Sequence, residues 1–155
     1  MYLAGQTAFT LEGELVGIGE PAAQAQQAIE NIKNLLELAG GQASDVVKSI
    51  VYATNRANYG IARSVIEDYL PDVLPCITGF VVKGFAREEL LIERGAWGFI
   101  DDAQASKRLV RAQNAVSLGT TASTRLAAQC YRAGNLVYLQ GQTAFTLDGE
   151  LVGVD

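Results

Sequence analysis

The chain contains no histidine, so any chemistry it performs must use carboxylates, hydroxyls, arginines, thiols or backbone dipoles. This removes the usual general base at neutral pH, every Ser-His or Cys-His nucleophile pair and every zinc site that needs imidazole. The two cysteines, Cys76 and Cys130, are 54 positions apart with no Cys-x-x-Cys spacing. They form neither a metal knuckle nor a redox motif and read as small buried apolar residues on strands. Lys and Arg number 12 against 17 Asp and Glu, a net charge of −5, and the basic residues are scattered. Nucleic acid is therefore not an expected partner, because proteins that bind a phosphate backbone gather their cations on one face. Apolar runs extend only a few residues, as at 80–82, far short of the roughly 20 that span a bilayer. No basic segment followed by an apolar run opens the chain, so no membrane partner and a cytoplasmic location are expected.

The elements that would carry such chemistry can be read from pattern. At 155 residues and 49% apolar, the chain is sized for one packed domain. Pro21 marks a helix start, and Ala25, Ala28, Ile29, Ile32, Leu35, Leu36 and Ala39 recur at helical spacing until Gly40-Gly41. A buried strand over 45–54, a helix over 60–70 ending at Pro71, and strands over 77–83 and 90–100 follow. Residues 101–112 are polar and lack a period, so they read as a linker. A strand pair over 129–132 and 136–146 turns at Gly134-Asn135. The expected fold class is α+β, one mostly antiparallel sheet with two helices on a single face.

The chain also begins and ends with nearly the same words. Residues 2–17 read YLAGQTAFTLEGELVG and residues 138–153 read YLQGQTAFTLDGELVG, differing only at Ala4/Gln140 and Glu12/Asp148. Each copy reads as a β-hairpin turning at Glu12-Gly13 or Asp148-Gly149. An offset of 136 residues is a whole domain, which points to a tandem of similar domains or a circular permutation with a duplicated seam. Two copies competing for one slot in a sheet also predict strand exchange between chains.

Four ordered segments carry a family resemblance: GNLVYLQGQ (134–142), AAQAQQAIENIKNLLELAGG (22–41), DVVKSIVYATNRANY (45–59) and ELLIE (89–93). Together they resemble the Rid, or YjgF-like, family over roughly 2–100 and again 123–155. The resemblance implies a chorismate-mutase-like fold, a homotrimer with small-molecule clefts between subunits, and no metal or organic cofactor. It implies that residues 1–100 form a Rid-like domain lacking its first strand. Residues 113–155 would then supply the first strands of such a domain, by permutation or swapping. The implied activity is hydrolysis of reactive enamines and imines, such as 2-aminoacrylate, to a carbonyl compound and ammonia.

Carried over residue by residue, the resemblance places a water-handling glutamate at Glu93 and a pocket glycine at Gly5, repeated as Gly141. The family's carboxylate-binding Arg falls on Ile77, and its pocket Tyr falls near Ala127. An aliphatic side chain cannot replace a guanidinium's bidentate, charge-assisted contact. The alternative for Glu93 is a surface carboxylate paired with Arg87 or Arg94. Arg63, on the second helix, is a candidate substitute anion clamp. Thr78 and Thr7/Thr143 could donate to a ligand, although Thr is also common in strands for its packing. Phe9/Phe145 could wall an apolar pocket, and Trp97 is assigned to the core. Three functions are compatible with this pattern: a deaminating hydrolase without the usual Arg, a non-catalytic ligand-binding trimer, or an assembly module of a tandem protein.

Overall fold

The computed structural model describes residues 1–70, 73, 75–100, 107–110, 130–142, 144, 152 and 153. Helix α1 (Pro21–Leu38) opens with proline at its first turn and buries Ala25, Ala28, Ile29, Ile32 and Leu36, most of the predicted apolar stripe. It ends at the predicted glycines in a Schellman arrangement. Gly41 N donates to Leu36 O (2.8 Å) and Gly40 N to Glu37 O (2.9 Å), with Gly40 at φ +79°.

Strand β1 (Tyr2–Gln6) precedes α1, and β2 (Val46–Ala53) follows it. Helix α2 (Arg56–Tyr69) starts four residues earlier than the pattern predicts. The reason is Asn55, whose side chain accepts from Asn58 N at 2.8 Å and caps the first turn. Strands β3 (Cys76–Val81) and β4 (Ile92–Gly98) complete a four-stranded sheet in the order β1-β4-β2-β3. Only the β2–β3 pair is parallel, with α2 as its crossover. The first copy of the repeat is shorter as a hairpin than predicted. After Gln6 only Phe9 and Leu15 bridge, around a turn with Gly13 at φ +84°.

Both helices lie on one face of this sheet. Cross-strand neighbours Ser49/Ala96, Val51/Arg94 and Ala53/Ile92 point toward them, as does Ile77 opposite Ser49. The core there joins α1 and α2 to Val51, Ile77 and Ile92, and joins α1 to Leu3, Val46 and Ala96. The other face carries Tyr2, Lys48, Ile50, Tyr52, Cys76, Thr78, Phe80, Glu93 and Trp97. Trp97 is therefore not a core residue; it rests on the Tyr2 ring, centroids 5.0 Å apart, on the face away from the helices.

A second, antiparallel sheet is built from β5 (Lys107–Val110), β6 (Cys130–Ala133) and β7 (Leu136–Leu139). β5 falls inside the segment read as a linker; its four residues become a strand by pairing with β6, which their own pattern does not announce. The β6–β7 turn is at Gly134-Asn135 as predicted, with Gly134 at φ +56°. The hairpin packs against β2 on the helix-free side: Cys76 Sγ donates to Tyr138 O (3.3 Å) and Lys48 Nζ to Leu139 O (2.8 Å).

Of the two cysteines, Cys76 is buried as predicted and Cys130 is partly exposed. Burial pushes the Cys76 thiol up to about 11, so at pH 8 only about a thousandth of it is thiolate. Titration with a disulfide reagent at pH 8 is expected to modify Cys130 promptly and Cys76 only after denaturant is added. Two equally fast thiols would contradict this packing.

Candidate functional site

Glu93 lies on the helix-free face of β4, in one cross-strand row with Tyr52 and Phe80. The two rings stack at 5.6 Å and 19°, giving the carboxylate a flat apolar flank. On its other side β1 bulges between Leu3 and Gln6, and the backbone of Gly5 closes on the carboxylate. A Cβ at Gly5 would overlap Glu93 Oε1, so the approach requires glycine for space. Among the described residues the ion pairs are Lys33–Glu30 and Arg87–Glu89, and neither includes Glu93. Arg94 points to the opposite face, and Arg87 is held by Glu89 at 3.1 Å with its guanidinium 5.6 Å from the Phe9 ring centroid. Glu93 is thus a half-buried carboxylate left free to accept a proton or orient a water.

Two amides of α1, Gln24 buried and Asn31 half-buried, fix this corner. Gln24, fully buried, donates to Gly17 O (3.0 Å) and Glu89 O (2.8 Å) and accepts from Leu91 N (2.7 Å), two residues before Glu93. Asn31, two helical turns on, donates to Thr7 O (3.0 Å) and Phe9 O (2.8 Å), just after Gly5. Behind Gly5 lies a cavity of about 240 Å³ that also touches Thr7, Phe9, Asn31, Leu35 and Leu38.

This geometry lies within the part of the chain that matches a known family. Residues 1–94 match the family model described as Endoribonuclease L-PSP. The chain belongs to this family, the YjgF/Rid family. Solved Rid-family structures are similar. A conserved Rid-family protein from Yersinia pestis is 35% identical, with a TM-score of 0.55 over 62% of this chain and 74% of that one. RidA from an Antarctic Psychrobacter is 31% identical, with a TM-score of 0.56 over 61% and 76%. The YjgF product of E. coli is 25% identical, with a TM-score of 0.55 over 60% and 74%. The expected α+β, YjgF-like fold is therefore the one found.

Of the site residues expected from the Rid resemblance, the structure brings Glu93 and Gly5 together, with Phe9 on the adjoining cavity. It brings Thr78 and Gly141 together as a second pair, a Cβ at Gly141 falling 3.0 Å from Thr78 Cγ2. Thr78 Oγ1 is buried without a hydrogen-bond partner among the described residues. The pairs are separate within one chain: Thr78 is two strands and two residues from Glu93, about 12 Å by strand geometry. Ile77 is not on this face. It points into the core beneath the helices, 4% exposed, so strand alternation puts Cys76 and Thr78, not Ile77, on the Glu93 side. Arg63 is a half-buried α2 residue whose Nε lacks a partner among the described residues. Ala127, Thr143 and Phe145 lie outside the described residues.

Sequence reasoning missed Gln24 and Asn31. Their signal was two amides seven residues apart on the buried side of a helix, polar groups that must bond something if they are not to cost stability. Gln24→Leu would strand Leu91 N and two carbonyls. It is expected to destabilise the protein by on the order of 2–4 kcal/mol in denaturant titration, where a neutral effect would contradict the clamp.

Proposed function

We propose that this chain is a cytoplasmic Rid-type deaminase that hydrolyses a reactive imine to a carbonyl compound and ammonia. The observation that carries the reading is the Glu93 carboxylate, unpaired among the described residues and seated against Gly5. Water adds to the imine carbon as Glu93 takes one of its protons and hands it to the nitrogen, giving a neutral carbinolamine. Glu93 then takes the hydroxyl proton and passes it to the nitrogen, so that C=O forms as the C–N bond breaks and ammonia leaves. The Tyr52–Phe80 stack flanks the substrate and keeps competing water from the carboxylate. With Ile77 in the core, no guanidinium stands at the expected carboxylate clamp, so the site selects small imines and gains little binding from a substrate carboxylate.

The separation of the Glu93–Gly5 and Thr78–Gly141 pairs favours a cleft completed by a neighbouring subunit, in keeping with a homotrimer. RNA cleavage, which the family model's description names, is disfavoured by a net charge of −5 and by the lack of any histidine for acid–base work. The absent clamp also favours a second reading, a trimer that binds a small ligand without turning it over. Ammonia release from 2-iminopropanoate, measured per chain across a dilution series, separates the two. Activity that falls as the assembly dissociates supports the shared cleft, whereas binding without ammonia release at any concentration supports the second reading.

A further inference from the structure

β1 pairs with β4 and with no other strand among the described residues, so one of its edges is open. Its bonds to β4 fix which groups face that edge. Met1 N donates to Gly98 O (2.8 Å) and Gly98 N donates to Met1 O (3.1 Å), so these two are a hydrogen-bonded pair. Antiparallel bonding alternates, so Leu3 bonds toward β4 while the N–H and C=O of Tyr2 point to the open edge. Beyond it, in the bulge, Ala4 O accepts from the side chain of Gln6, at 3.2 Å.

The repeat shows what such an edge binds. Tyr138 and Leu139 of β7 are the second copies of Tyr2 and Leu3. In the β6–β7 hairpin, Ala133 and Leu136 flank a two-residue turn and are a hydrogen-bonded pair, so the next such pair is Tyr131 with Tyr138. Tyr138 therefore bonds β6 with the same N–H and C=O that Tyr2 turns to the open edge. Gln142 also folds onto Gln140 O (3.0 Å), as Gln6 does onto Ala4 O. One strand sequence is thus used twice, each time on one edge: β4 holds the edge that β7 presents outward, and β6 holds the edge that β1 leaves open.

We infer that the open edge of β1 takes the Cys130–Ala133 strand of a second copy of this chain, antiparallel, with Tyr2 opposite the partner's Tyr131. β1 then stands where the partner's β7 stood, with Tyr2 and Leu3 replacing the identical Tyr138 and Leu139, and Met1 replacing Val137. β1 is the better-anchored host, since Leu3 is 5% exposed in the core while Leu139 is 52% exposed. Its order is already fixed by β4 and α1, so the incoming strand meets a preformed edge. The handover joins the two sheets across the chain boundary. Donor and acceptor are different surfaces, so the contact is head-to-tail and propagates to a ring or an open chain. The exchange requires no catalysis and stands whether or not the deaminase reading does.

The test is a disulfide trap. In a background with Cys76→Ala and Cys130→Ala, a Tyr2→Cys chain is mixed with a Tyr131→Cys chain and oxidised. Paired Cα atoms in this register lie about 5.5 Å apart, within disulfide reach. A Tyr131→Cys/Tyr138→Cys chain is the control that the hairpin forms. The expected result is a mixed disulfide of doubled mass that rises with chain concentration. A closed control with no mixed disulfide overturns the inference. A Tyr2→Cys/Tyr131→Cys chain that closes on itself at every dilution also overturns it, because the edge would then be filled from within.

Discussion

Replacing Glu93 with glutamine is expected to lower the rate of imine hydrolysis by about 10²–10⁴-fold, the usual contribution of a positioned general base. Glutamine keeps the size and one acceptor oxygen but cannot take up the proton, so a loss as deep as that in Glu93→Ala identifies proton transfer as the role. Because Glu93 is outside the two core clusters and in neither ion pair among the described residues, stability is expected to change by no more than about 0.5 kcal/mol. Gly5→Ala provides an independent check, since its Cβ would displace the carboxylate without removing it. Steady-state ammonia release for the three variants, each checked by thermal melting, measures all of this. Folded variants with wild-type rates would remove Glu93 from the mechanism.

The second large effect concerns Arg94, directly after Glu93 and on the opposite face. It is 3% exposed, its Nε donates to Ser49 Oγ at 3.0 Å, and its Nη1 has no partner among the described residues. Neither ion pair among the described residues includes it. Burying a charge without a counter-charge is costly, and a well-packed apolar residue of similar length often stabilises such a site by on the order of 1–4 kcal/mol. Arg94→Met is therefore expected to raise the unfolding free energy by that order, with Ser49 keeping its own bond to Gly95 O (3.1 Å). Burial pushes the guanidinium down to about 10, below its ordinary value. The folded-state value is lowered, so the cost is fully present below pH 10 and is relieved as pH rises through it. The advantage of the Met variant is accordingly expected to shrink as pH is raised from 10 to 11 in denaturant titrations. A less stable variant at pH 7 would show that Arg94 has a structural role beyond its bond to Ser49.

Periodicity and glycine placement made much of the fold legible. The α1 stripe and its glycine stop are local signals, and so is the Gly134-Asn135 turn. The start of α2 is also locally encoded, in the Asn55 cap, although its apolar spacing begins only near Gly60. β5 was not legible, because four residues with mixed polarity become a strand only when β6 is beside them. The site was half legible. Glu93 and Gly5 meet because β1 bulges beside β4, whereas Ile77 fails because a one-residue difference on a strand reverses the face a side chain occupies. Gln24 and Asn31 show the converse: their value lies in backbone groups far along the chain, at separations of 65 and 22 residues, which no local pattern reports.

The most direct measurement is the decay of freshly generated 2-iminopropanoate in the presence of the wild-type chain, read against buffer alone at matched pH. The Glu93 carboxylate predicts faster decay that is first order in protein and matched mole for mole by ammonia and carbonyl product. Decay at the buffer rate, from a chain shown by scattering to be folded and assembled, would contradict deamination at this site.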